Sequence, residues 1–486
     1  MFSFIPSYKR LVRKLGVLGL LAVLGSCQAL LDKEPQNKIS LEETFQDIES
    51  ATVALSGAYR SLFESNYLNG NRTFYPDLAG GNLKYSATNR QILGDVYNFT
   101  ADPDAGSMNS TYAQLYAILN NLNNIITRTP QIPNGSERTR TRLVAEAMAL
   151  RAMIHFDLVQ LYAQPYTYTA DASHPGIILN LKPILVTESQ RPRASVAECY
   201  AAILADLEQS LVLFENSTAI WSSGSTKNYM NPSVVRALLA RVYLHKADYQ
   251  QAYKQANAVI TSASYRLYTN QNYVESWSQK NTSEAIFEVS VPANYTGTSL
   301  GSYFDATTAG VSTTYLQMAA TNDLLQLYSP TDVRGKAHLY NTLTMAGSEY
   351  SFSKKYARGE ANATGVKVIR LSELYLIRAE AAARLGQLSQ AYQDLNTIRT
   401  RADTAAVPLQ GTDAEVALKL IWLERRKELC FEGFLLLDLS RTHQPLLRQD
   451  CQGLRCSLPY PSHFYILPLP ARTVLVNPLI SQNPGY

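Results

Sequence analysis

Apolar positions along this chain recur in steps of three and four. From Arg142 onward they fall at Leu143, Ala147, Leu150, Ile154, Leu158 and Leu161, a single stripe on a helix. A preceding helix is predicted over 110–129 and stops at Pro130; another begins near Ser195 and continues through Leu211. Asn231 and Pro232 supply an N-cap and a proline at the first helical position. The helix they open runs to Lys246, and residues 247–260 (ADYQQAYKQANAVI) give a tight turn and a second helix. Residues 386–399 (GQLSQAYQDLNTIR) align with that segment without a gap, sharing Gln-Ala-Tyr and the asparagine, and Ala240 and Ala379 hold equal positions before each turn. Small residues at such points let two helices approach closely, the basis of tetratricopeptide (TPR) hairpins. The pattern predicts a mostly α fold: TPR-like helical hairpins forming a single scaffold.

Two long excursions interrupt the helical period. Residues 66–107 are rich in Gly, Asn, Asp and Tyr, and residues 265–365 in Ser, Thr, Gly, Asn and aromatics. Within the second, 284–289 (EAIFEV) reads as a short strand. Loops of this length in a compact protein are functional or disordered, and the aromatic content argues against disorder. The scaffold is therefore expected to carry a loop-rich face containing small β segments.

The first residues belong to targeting, not to the fold. Lys9, Arg10, Arg13 and Lys14 precede a ten-residue apolar run, 15–24. That run is too short to span a bilayer, which takes about 20 residues, and suits a signal peptide over 1–26. Leu24-Gly25-Ser26-Cys27 resembles a bacterial lipobox, which makes Cys27 the lipidation site. Two or more acyl chains anchor a protein stably. Residues 27–40 then read as a tether and 41–486 as the body.

Charge narrows the choice of partner. The four leader cations account for the whole formal charge of +4, so the mature chain is neutral and lacks the basic footprint of a nucleic-acid binder. Cys451 and Cys456 lie in a loop-like stretch and are able to pair outside the cytoplasm, while Cys199 and Cys430 sit in helical patterns as buried residues. No C-x-x-C or H-E-x-x-H occurs, so no metal or cofactor is expected. Residues 297–301 (GTSLG) fit the G-x-S-x-G elbow of serine hydrolases, but that motif needs a strand before it and a helix after it, and its flanks read as polar loop. A glycosidase would need two carboxyls at a set separation in one cleft, which nothing local suggests.

Several blocks, in order, resemble the SusD/RagB family over nearly the whole mature chain. They are LLDKEP near the start, the spacing of Tyr112, Tyr116, Leu119, Leu122 and Asn123, and AEAMALRAMIHFDLVQLYAQPY at 145–166. Asp332-Val333-Arg334, LSELYLIRAEAAARLGQ, LNTIRTRA, ERRKELCFEGFLLLDLSR at 424–441 and the terminal Gln-Asn-Pro-Gly-Tyr follow. Two positions depart: Tyr112 stands where tryptophan is usual and Phe434 where arginine is common. Charged residues of these blocks, Glu146, Arg151, Glu380, Arg399, Glu424 and Glu432, are expected to form buried ion pairs and helix-end contacts. The resemblance implies a lipid-anchored outer-membrane protein facing the cell exterior. Such a protein captures oligosaccharides, or in some members peptides, for a TonB-dependent (SusC-like) outer-membrane barrel, and is not an enzyme.

A sugar offers apolar C–H faces and polar edges, so its site wants an aromatic beside amide, carboxylate or hydroxyl groups. The first excursion offers Tyr67, Phe74, Tyr75, Asp77, Asn82 and Tyr85; the second offers Trp277, Asn294, Tyr295, Tyr303, Phe304 and Tyr315. Trp221 and Tyr229 lie in a further polar loop. We take Tyr75, Asp77, Asn82, Trp221, Trp277, Tyr295, Tyr303 and Phe304 as the candidate ligand residues. A peptide ligand, and a surface hydrolase, are the competing readings.

Overall fold

The computed structural model describes residues 41–87, 91–184, 190–222, 224–304, 316–356 and 365–486. The leader, Cys27, the tether and Tyr315 lie outside the described residues. No described helix is long and apolar enough to cross a membrane.

The body is built on a long central helix. Helices α1 (Ile48–Ser61), α2 (Asn71–Gly80), α3 (Asn109–Arg128), α4 (Glu137–Tyr162) and α5 (Val196–Glu215) come first. The side chain of Ser136 caps α4, and Ser195 with Glu198 forms a capping box on α5. α4 packs against both α3 and α5. Its predicted stripe, Leu143, Ala147, Leu150, Ile154, Leu158 and Leu161, is wholly buried. Glu146, Arg151, His155 and Asp157 of the same helix are buried as well. Arg151 meets Asp206 through two hydrogen bonds of 2.8 and 2.7 Å.

The two similar segments fold as paired hairpins. α6 (Pro232–His245) and α7 (Tyr249–Thr261) form one; α8 (Leu371–Arg384) and α9 (Leu388–Ala402) form the other. Asn231 accepts from the Ser233 and Val234 amides, as its cap position predicts. Ala247 and Gly386, equivalent in the two turns, both adopt left-handed backbone, at φ 62° and 75°. Ala240 and Ala379 are completely buried. α7 packs against α8, so hairpins far apart in sequence become neighbours, and α10 (Ala414–Leu429) covers α8 and α9.

The described parts of the excursions hold more helix than the weak helical period there predicts. Residues 66–107 contain α2, although helical period there is weak and Pro76 lies inside the helix. Every residue over 72–80 is buried, so no polar face exists to create a period. The Asp77 carboxylate accepts from the amides of Phe431 (2.9 Å) and Gly433 (2.7 Å) and from Asn82 Nδ2 (2.7 Å). This fastens α2 to the turn that leads into α11 (Leu435–Arg441).

Six short strands follow: β1 (Leu83–Tyr85), β2 (Ala285–Val289), β3 (Met318–Ala320), β4 (Tyr340–Met345), β5 (Ser348–Ser353) and β6 (Val366–Arg370). They pair antiparallel as β1–β3, β2–β6 and β4–β5. β2 is the strand expected at 284–289. Near the C-terminus, Leu446–Leu447 pairs with Ser457–Leu458, and the loop between them carries the Cys451–Cys456 disulfide.

A buried ion network joins the excursions to the hairpins. The Arg370 guanidinium, fully enclosed, contacts the carboxylates of Glu284, Glu428 (3.1 Å) and Glu432 (2.7 Å). Arg401 reaches Glu284 and Glu428 (3.4 and 2.8 Å), and Arg334 reaches Asp332, Glu424 and Glu428 (2.7–2.9 Å). Lys355 meets Glu432 at 2.7 Å. Burial by itself would raise the Glu428 carboxyl pKa. The guanidiniums of Arg401, Arg370 and Arg334 outweigh burial and hold it far below the usual range. Asp332 is likewise drawn down to about 2, its burial overcome by Arg334.

A carboxyl with a depressed folded pKa stabilises the fold above its unfolded value of about 4 and loses that contribution as pH falls toward its folded value. The thermal midpoint should therefore drop steeply between about pH 4 and pH 2, as followed by circular dichroism. At neutral pH, Glu428→Gln should cost about 3 kcal/mol or more in urea unfolding, because three guanidiniums lose one counter-charge.

Candidate ligand-binding groove

The candidate residues from the excursions divide by burial. Tyr75 is 2% exposed and Phe304 fully enclosed, the latter stacked on Tyr356 at 5.4 Å. Trp277 is 1% exposed, with Lys355, Arg370 and Lys367 packed at 4.8, 4.9 and 5.6 Å from ring centroids, which makes it a structural partner of the ion network. Asp77 holds α2, and Asn82 bridges Asp77 to Arg426 Nε (2.9 Å). Burial raises the Asp77 carboxyl pKa even with these donors around it. Tyr295 is half-buried, its hydroxyl donating to the Thr298 carbonyl (2.8 Å) and its ring edge-on to Phe63. Tyr303 is half-buried and edge-on to Phe74.

Trp221 has a different setting. Its ring stacks on Tyr229 with centroids 4.3 Å apart and planes 6° from parallel. Tyr59 of α1 meets both rings edge-on, at 5.8 and 5.3 Å. One carboxylate fixes this cluster: Glu146 Oε2 accepts from the Tyr59 hydroxyl (2.6 Å) and from Trp221 Nε1 (2.9 Å), and Oε1 from Arg142 Nε (2.6 Å). The Tyr59 oxygen also accepts from the Met230 amide at 2.8 Å, which ties in the start of α6. Burial, then the Glu146 charge, raises the Tyr59 hydroxyl well above its ordinary pKa. The Glu146 carboxyl is itself raised by burial, against the pull of Arg142.

Beside the cluster lies a groove of about 290 Å³, lined by Ser56, Tyr59 and Arg60 of α1, by Asn228 and Tyr229, and by residues 289–293. Asn228 Nδ2 donates to the Glu288 carbonyl at 2.9 Å, which holds the Tyr229 loop against β2. The groove thus combines an aromatic wall with exposed hydroxyl and guanidinium groups from Ser56, Arg60 and Ser290. Such a lining matches the apolar face and polar edge of a sugar ring.

Only Trp221 among the eight candidates belongs to this arrangement, and Tyr229 was its loop companion in the sequence. Ser56, Tyr59 and Arg60 went unnoticed because α1 reads as an ordinary amphipathic helix. The one legible signal was Glu146, an acid on the central helix, which foretold a buried pair but not an aromatic cluster. The G-x-S-x-G segment has no strand directly before it: β2 ends at Val289, and Ser299 is buried just ahead of the short helix Leu300–Phe304. Among the described residues no cluster of His, Cys, Asp or Glu is placed to hold a metal ion.

Residues 217–486 match the SusD family. The chain belongs to that family. Residues 30–244 match a second, related pattern described as starch-binding associating with outer membrane. SusD-like protein P38 of Formosa agariphila is 23% identical in an alignment spanning 97% of this chain and 98% of that protein. A SusD superfamily protein from Bacteroides vulgatus superposes with a TM-score of 0.81 at 29% identity, covering 91% of this chain and all of the other. One from Bacteroides thetaiotaomicron gives 0.80 at 26% identity, covering 90% and 100%. The SusD fold is helical and TPR-like, in agreement with the hairpins described above.

Glu146 organises the cluster, so Glu146→Ala should strand the Arg142 charge and two donors. We expect a loss of about 3 kcal/mol in urea unfolding, together with a red-shifted and more quenchable Trp221 emission.

Proposed function

We propose that this protein captures oligosaccharides at the outer face of the outer membrane and passes them to a TonB-dependent barrel. The observation that carries the reading is the Trp221–Tyr229 stack beside an open groove with polar edges. Three further points support it. The N-terminal half matches a family described as starch-binding and associated with the outer membrane. The lipobox around Cys27 supplies an anchor, and the membrane-facing role needs no spanning helix. The groove lining also offers binding groups without an activated nucleophile or a pair of facing carboxylates, so capture without turnover is the chemistry we assign to it.

In this reading Tyr229 presents its ring to the apolar face of a sugar, while Ser56, Arg60 and Ser290 meet hydroxyls or acidic substituents. Glu146 keeps the aromatic wall rigid, so little side-chain entropy is lost on binding. Tyr295 and Tyr303 remain proposed contacts for longer chains, since both are only half-buried.

Titration calorimetry of the unlipidated protein (Cys27→Ser) against a panel of oligosaccharides and peptides tests this. We expect saturable heat with one glycan class and no release of reducing ends. Tyr229→Ala should weaken that affinity about three- to tenfold, the worth of one aromatic contact. Heat with peptides alone would replace the glycan by a peptide cargo, and glycan affinity unchanged in Tyr229→Ala would move the site elsewhere.

A further inference from the structure

A second groove lies between α10 and α11, and none of its lining residues belongs to the Trp221 cluster. Its volume is about 260 Å³. Helical spacing places Trp422, Arg425, Arg426 and Leu429 toward the gap from α10, and Phe434, Asp438 and Leu439 line it from the α11 side. Its walls are mainly leucine and aromatic carbon, with three charged groups: two arginines and one aspartate.

Hydrogen-bond accounting sets this groove apart. Arg426 is satisfied, its Nε on Asn82 Oδ1 at 2.9 Å and its Nη2 on Asp323 Oδ2 at 2.7 Å. Asp438 is satisfied too, one oxygen accepting from Arg425 Nε at 2.9 Å and the other from Arg441 Nε at 2.8 Å. Arg425 is not. Its side chain is 1% exposed, yet Nη1 and Nη2 meet no acceptor among the described residues. Trp422 Nε1 is likewise enclosed without a partner. Both residues line the same groove.

Buried donors are almost always paired, and each one left open costs about 1–3 kcal/mol. Both oxygens of Asp438, the one carboxylate on the wall, are engaged, while five N–H bonds on two side chains have no acceptor among the described residues. The missing complement is a group that only accepts. A planar carboxylate matches the two terminal nitrogens of a guanidinium, and a charged acceptor makes the stronger bond to it. The Phe434 ring lies 5.4 Å from that guanidinium, and apolar side chains fill the rest of the wall.

We propose that this groove binds a small organic carboxylate with an apolar or aromatic body, its anion received by Arg425 and Trp422. Glycan capture at the Trp221 groove does not enter this inference, and either can fail without the other.

Benzoate is a suitable probe, with uncharged benzyl alcohol as its control, titrated into the full-length protein by calorimetry and Trp fluorescence. Saturable benzoate binding in the millimolar range is expected, with benzyl alcohol at least about tenfold weaker. Arg425→Gln should abolish it. Because that change disturbs the Asp438 pair, Leu423→Trp is the second variant: Leu423 stands 43% exposed at the rim, takes no part in the ion pairs, and a larger ring there should block entry while leaving the melting temperature unchanged. Tyr229→Ala should bind benzoate as the parent does. Absence of saturable binding, equal binding of benzyl alcohol, or unaltered binding by the folded Leu423→Trp protein would overturn the proposal and leave a groove that holds water.

Discussion

Arg370 and the carboxylates around it are the constraint on which the fold rests. The residue ends β6 and precedes α8; its partners come from the start of β2, from α10 and from the turn after α10. Arg401 on α9 and Arg334 from the second excursion share the same acids. Taking so many charges out of water is costly, and the cost is offset only when every group meets its partners. The consequence is geometric. Excursion, hairpin and α10 must all arrive before all of these charges are satisfied, so a partly assembled body is strongly disfavoured. Trp277 completes the arrangement, its ring lying among three of the cations.

The same physics appears on a smaller scale at Glu146. There one buried carboxylate meets three donors, and what it fixes is a pair of stacked aromatic rings at the edge of an open groove. A rigid apolar plate beside polar groups suits the capture proposed above, because little side-chain freedom is left to lose. The groove between α10 and α11 inverts this balance: its one carboxylate is engaged on both oxygens and donors remain. A saturated cluster builds a surface, whereas an unsaturated one calls for a ligand.

Helices were legible because their signals are local. Caps at Ser195 and Asn231, the stop at Pro130 and the apolar steps of α4 act over a few residues, and the structure follows them closely. The repeat of 247–260 at 386–399 foretold paired turns, and the structure adds that the aligned Ala247 and Gly386 are both left-handed. Helix α2 was hidden for a physical reason: burial on all sides erases the period that marks an amphipathic helix, and Pro76 reads as a break. Asp77 looked like a sugar ligand for a related reason. An acid among aromatics and asparagines has the composition of a binding loop, while its real partners, the amides of Phe431 and Gly433, lie more than three hundred residues away.

Family, fold class and the order of the helices were therefore written in the chain as periodicity, caps and ordered motifs, each of which depends on near neighbours. Burial is a property of the assembled body, and it decided which aromatics became core, as Tyr75, Trp277 and Phe304 did, and which came to line a groove, as Tyr229 did with Trp221 stacked against it. No local pattern separates these cases, because the same ring serves a core or a sugar equally well. Only the packing of α1 against the loop before α6, and of α10 against α11, sets which polar atoms find partners within the protein and which are left to find them elsewhere.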